Sequence, residues 1–564
     1  MYRQVLDPLH GSLGLTAIFA VLPLLMLFVL LGVVRAAAWI ASVAALAGAL
    51  IVAVGIYSMP ISQALLAGSE GAAFGFFPIM WIVINAIWVY NLTVKTGHFD
   101  VLRDSFASVS ADQRIQAIII AFCFGSLLEG LAGFGAPVAI AAVMLVALGM
   151  PPMLAASLAL IADTAPVAFG AIAVPITTLG QVTGLPATDL GAMVGRQTPI
   201  LALFVPFVLV GMVGGGRGIA QVWPAALTAG GVFGAVQFVA SNYLTVALTD
   251  IFASLVSAGA VVLLLQVWQP MEILTGTERD TAGELPPDAI GGGPRKSGHG
   301  ASAAAGGTFT AQETIRDSRA DVVKAYTPYA IIIAVFAITQ APGIKDALAT
   351  TVTKVAWPGL HLLGTTGMPQ SLTMFTLNWL PAPGTLLLFA GILSAVVLAV
   401  SPARALRTYL ETLVELRFAI LTVMLVLALA YVMNASGQTS TLGKWMAGAG
   451  GLFAVVSPVL GWLGVAVTGS DTSSNSLFGA LQVTAAKGAG LDPLLMAASN
   501  SSGGVVGKMI SPQNLAIGAS AVGLAGREGD LFRKVLPWSV IFLIGACVLV
   551  YLQSTPVLAW MVVH

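Results

Sequence analysis

The stretch GSDTSSNSLFG, residues Gly469 to Gly479, places an aspartate and a run of hydroxyl and amide side chains between two strongly apolar segments. Burying such groups costs free energy unless they are paired or face a water-filled cavity. This contrast is typical of a membrane protein that keeps a polar chamber among its helices. The stretch indicates a membrane protein because a soluble domain would place such a polar sequence at its surface, not between two long apolar segments.

The composition of the whole chain supports a membrane location. Of 564 residues, 58% are hydrophobic and 9% are charged, whereas an ordinary soluble domain carries about 25% charged residues. We predict an all-α polytopic membrane protein with about 12–14 membrane segments, each ~20 residues long, the first being a retained span rather than a cleaved signal peptide. Examples of such apolar runs are Leu13–Val34, Phe74–Val94, Leu244–Trp268, Leu413–Tyr431 and Val535–Leu552.

Charge and cysteine content exclude several classes of function. The 24 basic and 24 acidic residues balance, and the basic residues form no stripe that would bind nucleic acid. Cys123 and Cys547 lie in apolar surroundings, where we interpret them as small buried hydrophobic residues. The five histidines show no metal-ligand spacing, and no H-E-x-x-H or G-x-S-x-G motif occurs. We therefore expect no cofactor, no bound metal and no enzymatic activity.

Residues 275–320 break the apolar pattern, being rich in Gly, Ala, Pro and charge. Such a segment cannot bury enough apolar surface to fold alone, so we predict a flexible linker. Its five basic residues, with Lys324 next to it, place it in the cytoplasm by the positive-inside bias. The expected division is a first membrane repeat at 1–222, connecting membrane helices at 223–274, the linker at 275–320, a connecting membrane helix at 321–350 and a second membrane repeat at 351–564.

The two expected repeats share a sequence pattern. Residues 124–157 align with residues 466–499 without a gap, and this alignment sets Glu129 against Asp471. Duplicated halves are typical of secondary transporters, in which two similar halves enclose one site. We expect the repeats to be inverted, with re-entrant hairpins and interrupted helices. A parallel arrangement and a chance similarity of Ala- and Gly-rich segments are the alternatives.

Four polar segments in the membrane-like part of the chain combine Gly or Pro with carboxylates, amides or hydroxyls. Gly and Pro weaken a helix, and non-helical backbone at membrane depth is tolerated only within protein or beside a water-filled cavity. We therefore expect these segments to interrupt helices and to face one internal site. They are residues 129–140, 162–176, 470–479 and 499–518.

The polar segments contain three carboxylates, Glu129, Asp163 and Asp471, and one cation, Lys508. Each ionised side chain costs roughly 2.5–3.5 kcal/mol at the centre of a membrane helix. With three carboxylates and one lysine, an empty site would repel an anion, and a proton is the simplest neutralising group because burial disfavours an ionised carboxyl. We predict Asp471, Glu129 and Asp163 as proton-coupling residues. The alternatives are a sodium ion at Asp471 and a purely structural role for Glu129 or Asp163, either in an ion pair with Lys508 or as the cap of a helix end near the interface.

The same segments supply groups that would bind a small anion. Converging half-helix N-termini present free N–H groups and a positive dipole end, and hydroxyl and amide side chains add neutral donors. By contrast, we interpret Arg196 and Arg417 as interface anchors at helix starts. The substrate-binding candidates are Lys508, Thr472, Ser473, Ser474, Asn475, Asn500, Ser501, Ser502, Gln513 and Asn514.

The segments EGLAGFGAPVAIAA, ADTAPVAFGAIAVPI, TGSDTSSNSLFGALQ and NSSGGVVGKMISPQNLAI resemble the lactate permease family of bacterial 2-hydroxy-monocarboxylate transporters. The resemblance covers essentially the whole chain. It implies uptake of L-lactate, D-lactate or glycolate with protons by a multi-pass protein of the bacterial inner membrane. A sodium-coupled carboxylate symporter remains an alternative, and so does an anion channel, although duplicated halves that carry carboxylates favour a transporter.

Overall fold

A computed structural model of the chain provides the structure described below. The expected linker at 275–320 lies outside the described residues, apart from its last two positions, which begin a helix. Its flexibility and its cytoplasmic location stay predictions. The described residues are 2–34, 36–131, 133, 135–274, 319–339, 341, 343–365, 367, 369–370 and 373–563.

Helices dominate the first part of the chain, as its apolar runs predict. A helix closes its backbone hydrogen bonds internally, which hydrocarbon surroundings require. Short π-helical turns join or extend several of these helices. The helices are α1 (Leu13–Phe28), α2 (Ala38–Gly55), α3 (Ile61–Phe74), α4 (Trp81–Lys95), α5 (His98–Ala107), α6 (Gln113–Gln116), α7 (Gly125–Leu131), α8 (Ala136–Ala147), α9 (Pro152–Ala162), α10 (Gly170–Thr183), α11 (Ala187–Val194), α12 (Thr198–Val239) and α13 (Thr249–Val267).

The second part is also helical and adds four short strands. β1 (Tyr2–Arg3) pairs in parallel with β3 (Leu362–Leu363), and β2 (Thr353–Ala356) pairs antiparallel with β4 (Met374–Leu377). The helices are α14 (Arg319–Thr339), α15 (Ile344–Ala349), α16 (Pro383–Val397), α17 (Pro402–Ser436), α18 (Gln438–Met446), α19 (Phe453–Thr468), α20 (Asp471–Ala489), α21 (Pro493–Gly507), α22 (Pro512–Ala521) and α23 (Glu528–Gln553).

The helices confirm an all-α polytopic membrane protein. Ten helical ranges within the described residues are long and apolar enough to cross a membrane. A pair bent by 64°, Pro152–Ala162 with Val167–Thr183, supplies up to one more. Two shorter apolar helices, α8 and α16, lie outside this set. In the range Gln113–Leu131, the apolar part is entirely buried, so this helix is surrounded by protein rather than by lipid.

The longest of these ranges, Ala187–Leu244, is not one continuous helix. Its main helix α12 leaves helical geometry at Gly215 and Val222. The two arms then pack closely, since a Cβ at Gly230 would lie 2.6 Å from the Leu203 carbonyl oxygen. The ten ranges are therefore not a direct count of membrane crossings. The break at Val222 coincides with the expected boundary of the first repeat, and the division into repeats and connecting helices stays a prediction.

Helices break at each of the four polar segments. The breaks lie between α7 and α8, between α9 and α10, between α19 and α20, and between α21 and α22. Gly135 and Gly469 have φ values of 82° and 75° at the first and third breaks, a conformation that glycine adopts without the strain of a side chain. The expected interrupted helices are therefore present at the expected positions.

The two halves of the chain interlock through the helices that follow these breaks. Helix α10 of the first half packs against α20 of the second, and α22 of the second half packs against α8 of the first. The side chain of Asn475 in α20 donates a hydrogen bond from Nδ2 to the Pro175 carbonyl in α10, at 3.1 Å. This reciprocal packing brings the polar segments of both halves together.

The gap-free alignment of the two halves does not hold at the first break. Glu129 lies in α7, before the break, whereas Asp471 begins α20, after the corresponding break. The register shifts because α20 has 19 residues and α8 has 12. Both halves share an order of helices and breaks, while the duplication itself, its inverted orientation and the re-entrant hairpins stay predictions.

Candidate functional site

The breaks surround a cavity of 1120 Å³. Its wall is built from residues of α7, α10, α19, α20 and α22, together with the start of α2 and the middle of α17. Glu129, Asp471 and Lys508 are buried side chains that belong to this wall. Ionisable residues from both halves of the chain therefore border one cavity.

Lys508 lies at the centre of a buried cluster of charges. Its Nζ donates to Glu129 Oε1 at 2.6 Å and lies 3.0 Å from Asp163 Oδ2. The three side chains are between 4% and 6% exposed. The ion pair that was an open alternative from the sequence is thus present. Lys508 is within ion-pair distance of both carboxylates. With all three ionised, the cluster carries a net charge of −1.

The fourth break fixes the position of Lys508. This residue follows the end of α21 and begins a 3₁₀ turn that leads into α22. The Lys508 carbonyl accepts hydrogen bonds from Ser511 Oγ at 3.0 Å and from Asn514 Nδ2 at 3.2 Å. Ser511 also caps α22 by accepting from the Asn514 amide. Asn514 thus shapes the break, while Gln513 beside it lines the cavity.

Asp471 occupies a second position on the same wall, in the first turn of α20. Its Oδ2 accepts from Ser501 Oγ at 2.5 Å and from Asn475 Nδ2 at 3.3 Å. Its Oδ1 is buried and accepts no hydrogen bond within the described part of the chain. Gly504 packs against this carboxylate so closely that a Cβ there would overlap Oδ1. Asp471 therefore binds neutral donors and forms no ion pair with Lys508 in the structure described.

The backbone at the start of α10 is strained where it meets the cavity. Ala171, Ile172 and Ala173 have φ values of 45°, 60° and 57°, a conformation that costs about 1–3 kcal/mol for each non-glycine residue. Gly170 allows Glu129 to approach this turn, because a Cβ at Gly170 would lie 2.6 Å from Glu129 Oε1. Such strain persists only where the surrounding structure holds the turn in place.

The predicted substrate residues divide into two groups. Lys508, Thr472, Ser473 and Gln513 line the cavity. The others do not line it, because their polar groups bind other parts of the protein or lie between packed helices, and their role in substrate binding stays a prediction. These residues are Ser474, Asn475, Asn500, Ser501, Ser502 and Asn514.

A chain of buried amides illustrates the second group. Asn500 Nδ2 donates to Asn475 Oδ1 at 2.9 Å, and Gln482 Nε2 donates to Asn500 Oδ1 at 3.0 Å. Ser502 Oγ donates to Gln197 Oε1 at 2.6 Å, which joins α21 to the first half. These bonds hold α20, α21 and the first half in register behind the cavity wall. Asp163 also lies behind the wall and reaches the cavity only through Lys508.

One buried carboxylate near this site was not predicted from the sequence. Asp250, in the first turn of α13, is 1% exposed, and its Oδ1 accepts from Gln237 Nε2 at 2.9 Å. Gly130, next to Glu129, packs on it, since a Cβ at Gly130 would lie 3.3 Å from Asp250 Cβ. The signal was a lone acidic residue inside the apolar run Leu244–Trp268, a run that we assigned wholly to a membrane span.

Arg417 is placed differently from the expectation. It lies well inside α17 and not at a helix start, because α17 has 35 residues and begins long before the apolar run. Its side chain is exposed and lines the cavity. Arg196 does lie just before a helix, α12, and it donates to Asn242 Oδ1 and to the Met561 carbonyl at 3.0 Å each.

Comparison with known proteins gives a consistent relationship along the chain. A family model described as L-lactate permease matches residues 16–557. The L-lactate permease of Bacillus subtilis strain 168 is 40% identical over 100% of both chains. The L-lactate permease of Escherichia coli K12 is 41% identical over 100% of both chains, and the glycolate permease GlcA of the same strain is 41% identical over 96% of each chain. Since both the family model and these relatives match nearly the whole sequence, the chain belongs to the L-lactate permease family.

Proposed function

We propose that the protein is a secondary active transporter that imports 2-hydroxy-monocarboxylates, namely L-lactate, D-lactate and glycolate, by proton symport across the bacterial inner membrane. Relatives named L-lactate permease and glycolate permease support this substrate class. The observation that carries the proposal is the single cavity that Glu129, Asp471 and Lys508 border together. In this proposal Asp471, Glu129 and Asp163 take part in proton coupling.

The charge of the Lys508 cluster explains why a proton would accompany an anion. Lys508 is already bound to Glu129 and lies at ion-pair distance from Asp163, so an arriving carboxylate meets no free positive charge at this point. A proton on either carboxyl removes one negative charge. It also weakens that carboxyl's hold on Lys508, so that Nζ can bind the substrate carboxylate. Glu129 Oε2 and Asp163 Oδ1 are buried and accept no hydrogen bond from the described residues, which leaves an oxygen on each for that proton.

The cavity wall offers neutral groups that suit a hydroxy acid. Thr472 and Ser473 lie in the first turn of α20, and Gln513 lies in the first turn of α22. A substrate that carries a carboxylate beside a hydroxyl can place the carboxylate towards Lys508 and bind its hydroxyl to one of these side chains. A site that binds a substrate hydroxyl discriminates against the analogue that lacks it. We therefore expect lactate to be preferred over propionate.

The position of Asp471 supports a proton over a sodium ion. Asp471 stands at the N-terminus of α20, where backbone N–H groups and the positive end of the helix dipole are present. A sodium site needs several oxygen ligands, such as the carbonyls at a helix C-terminus. The hydrogen bond that Asp471 Oδ2 accepts from Ser501 occupies one of its oxygens as well.

Uptake into proteoliposomes tests this function. Purified protein is reconstituted, and labelled L-lactate is followed under an imposed pH gradient, alkaline inside, without sodium. The same preparation is then given a sodium gradient without a pH gradient. We expect accumulation above the external concentration with the pH gradient alone, and faster than in protein-free liposomes, which take up lactic acid passively. Accumulation with sodium alone would favour the sodium-coupled alternative, and lactate equilibration without accumulation would favour a channel.

A further inference from the structure

Two of the described residues that line the cavity carry a positive charge, Lys508 and Arg417. Lys508 is buried and engaged by Glu129 and Asp163. Arg417 is exposed, and the structure gives it no carboxylate partner among the described residues. Its single hydrogen bond there runs from Nη1 to the Val414 carbonyl at 3.5 Å, which is long. Most of its five N–H donors are therefore available to a ligand.

Aromatic rings position this guanidinium at the cavity. Arg417 Cζ lies 4.8 Å from the centre of the Phe418 ring. The Phe418 ring stacks in turn on Trp39 of α2, with ring centres 6.2 Å apart and an angle of 21° between the planes. Trp39 and Phe418 line the same cavity as Arg417. A guanidinium stacked on an aromatic face keeps its in-plane donors free for a carboxylate.

The sequence of α17 locates Arg417 at a boundary. The part of α17 before it carries Arg404, Arg407, Glu411 and Glu415, whereas residues 418–436 contain no charged side chain. The first part is thus polar enough to meet water, and the second has the composition of a membrane span. Arg417 therefore stands where an anion from the aqueous side would first meet the cavity.

We propose that Arg417 is the first binding station for the substrate carboxylate. The proposal rests on the transport function proposed above and adds a step to it. The carboxylate binds the guanidinium at the mouth of the cavity while Lys508 is still held by Glu129 and Asp163. It moves to Lys508 only after one of those carboxyls has taken up a proton. Arg417 would thus set the affinity for substrate that enters through this mouth of the cavity, while Glu129, Asp163 and Lys508 would set the coupling.

Transport kinetics provide the first test. Arg417→Gln should raise the KM for L-lactate about tenfold to a hundredfold, the range expected for loss of one charge-assisted hydrogen bond, with Vmax changed less than about twofold. Arg417→Lys should restore part of the affinity because it keeps the charge. The matched control is Arg404→Gln, an exposed arginine on the same helix that lies outside the cavity wall. An unchanged KM in Arg417→Gln would overturn the proposal.

A charge-restoration assay separates this proposal from the transport function. Cys123 and Cys547 are buried, so Arg417→Cys supplies an accessible thiol. Attaching a trimethylammonioethyl group to that thiol should return KM towards the wild-type value, whereas a sulfonatoethyl group should raise it further. Equal KM values after the two modifications would contradict a role for positive charge at this position.

Protection of a cavity thiol beside an intact Arg417 gives a readout that does not depend on transport. Ala37 is exposed and lines the same cavity. L-lactate and acetate should slow the labelling of Ala37→Cys by the trimethylammonioethyl reagent, a neutral amide of the same size should not, and adding Arg417→Gln should abolish the protection. Labelling that carboxylates leave unchanged would count against the binding station even if the wild-type protein transports lactate. If the wild-type protein accumulates no 2-hydroxy acid but carboxylates protect the thiol, the transport function fails and the anion site remains.

Discussion

Lys508 Nζ lies 2.6 Å from Glu129 Oε1, although 379 positions of the chain separate the two residues. This bond joins the fourth helix break, in the second half, to the first break, in the first half. Both partners border the cavity. A change in the charge of either residue therefore acts on both halves of the protein and on the site between them.

Removing the lysine tests whether this cluster balances its charges. Lys508→Gln leaves Glu129 and Asp163 buried without a cation, so we expect a loss of about 3–5 kcal/mol in the free energy of unfolding and loss of lactate uptake. Unfolding is measured by denaturant titration in detergent. The double variant Lys508→Gln with Glu129→Gln should be more stable than the single variant, because one uncompensated charge is gone. A double variant less stable than the single one would contradict this account.

Asp471 is predicted to be needed for coupling and not for folding. Asp471→Asn keeps the shape of the side chain and can still accept from Ser501, but it cannot take up or release a proton. We expect normal expression and loss of concentrative L-lactate uptake, measured under an imposed pH gradient. The control is Asp346→Asn, which changes an exposed carboxylate in α15. Normal accumulation by Asp471→Asn would remove the role assigned to Asp471.

Gly170 is predicted to be needed for the position of Glu129. In Gly170→Ala, the added Cβ would lie 2.6 Å from Glu129 Oε1 and would push this carboxylate away from Lys508. We expect a fall in L-lactate uptake of about tenfold or more, in line with the loss of a charge-assisted hydrogen bond. The control is Gly14→Ala, since no atom lies within 4 Å of a Cβ at Gly14. Equal uptake by the two variants would show that Glu129 has room to move.

Asp250 is predicted to stabilise the fold through its hydrogen bond with Gln237. Asp250→Ala leaves Gln237 without one acceptor in a buried place, which should cost about 1–3 kcal/mol of the free energy of unfolding. Asp250→Asn keeps an acceptor oxygen for Gln237, so its unfolding curve should stay near the wild-type curve. Both are measured by denaturant titration. Equal destabilisation of the two variants would show that the charge of Asp250, and not its hydrogen bond, stabilises the fold.

The helical membrane fold and the helix breaks were predictable because their causes are local. Apolar runs of membrane-spanning length predict helices, and Gly or Pro beside polar side chains predicts their interruption, as found around Gly135 and Gly469. Clustering of the ionisable residues was predictable from the free-energy cost of leaving each one alone in the membrane. Glu129, Asp163 and Lys508 do meet, and Asp471 borders the same cavity.

The sequence did not show which polar residues line the cavity and which bind other side chains behind it, because this depends on how the halves pack. Asn500 and Thr472 look alike as polar residues in an apolar setting, yet Thr472 lines the cavity and Asn500 bonds to Asn475 behind it. Arg417 was misplaced because an apolar run shows where a span begins and not where its helix begins. No local pattern in the sequence shows that Trp39 of α2 reaches the same cavity.

The pH inside proteoliposomes measures coupled uptake most directly. L-lactate is added outside, without sodium and without an imposed gradient, and a trapped dye reports the internal pH, with protein-free liposomes as the reference for passive lactic acid. The account predicts internal acidification faster than this reference, lost in Asp471→Asn. Uptake of labelled lactate at the wild-type rate with acidification no faster than in protein-free liposomes, or only when sodium is present, would contradict it.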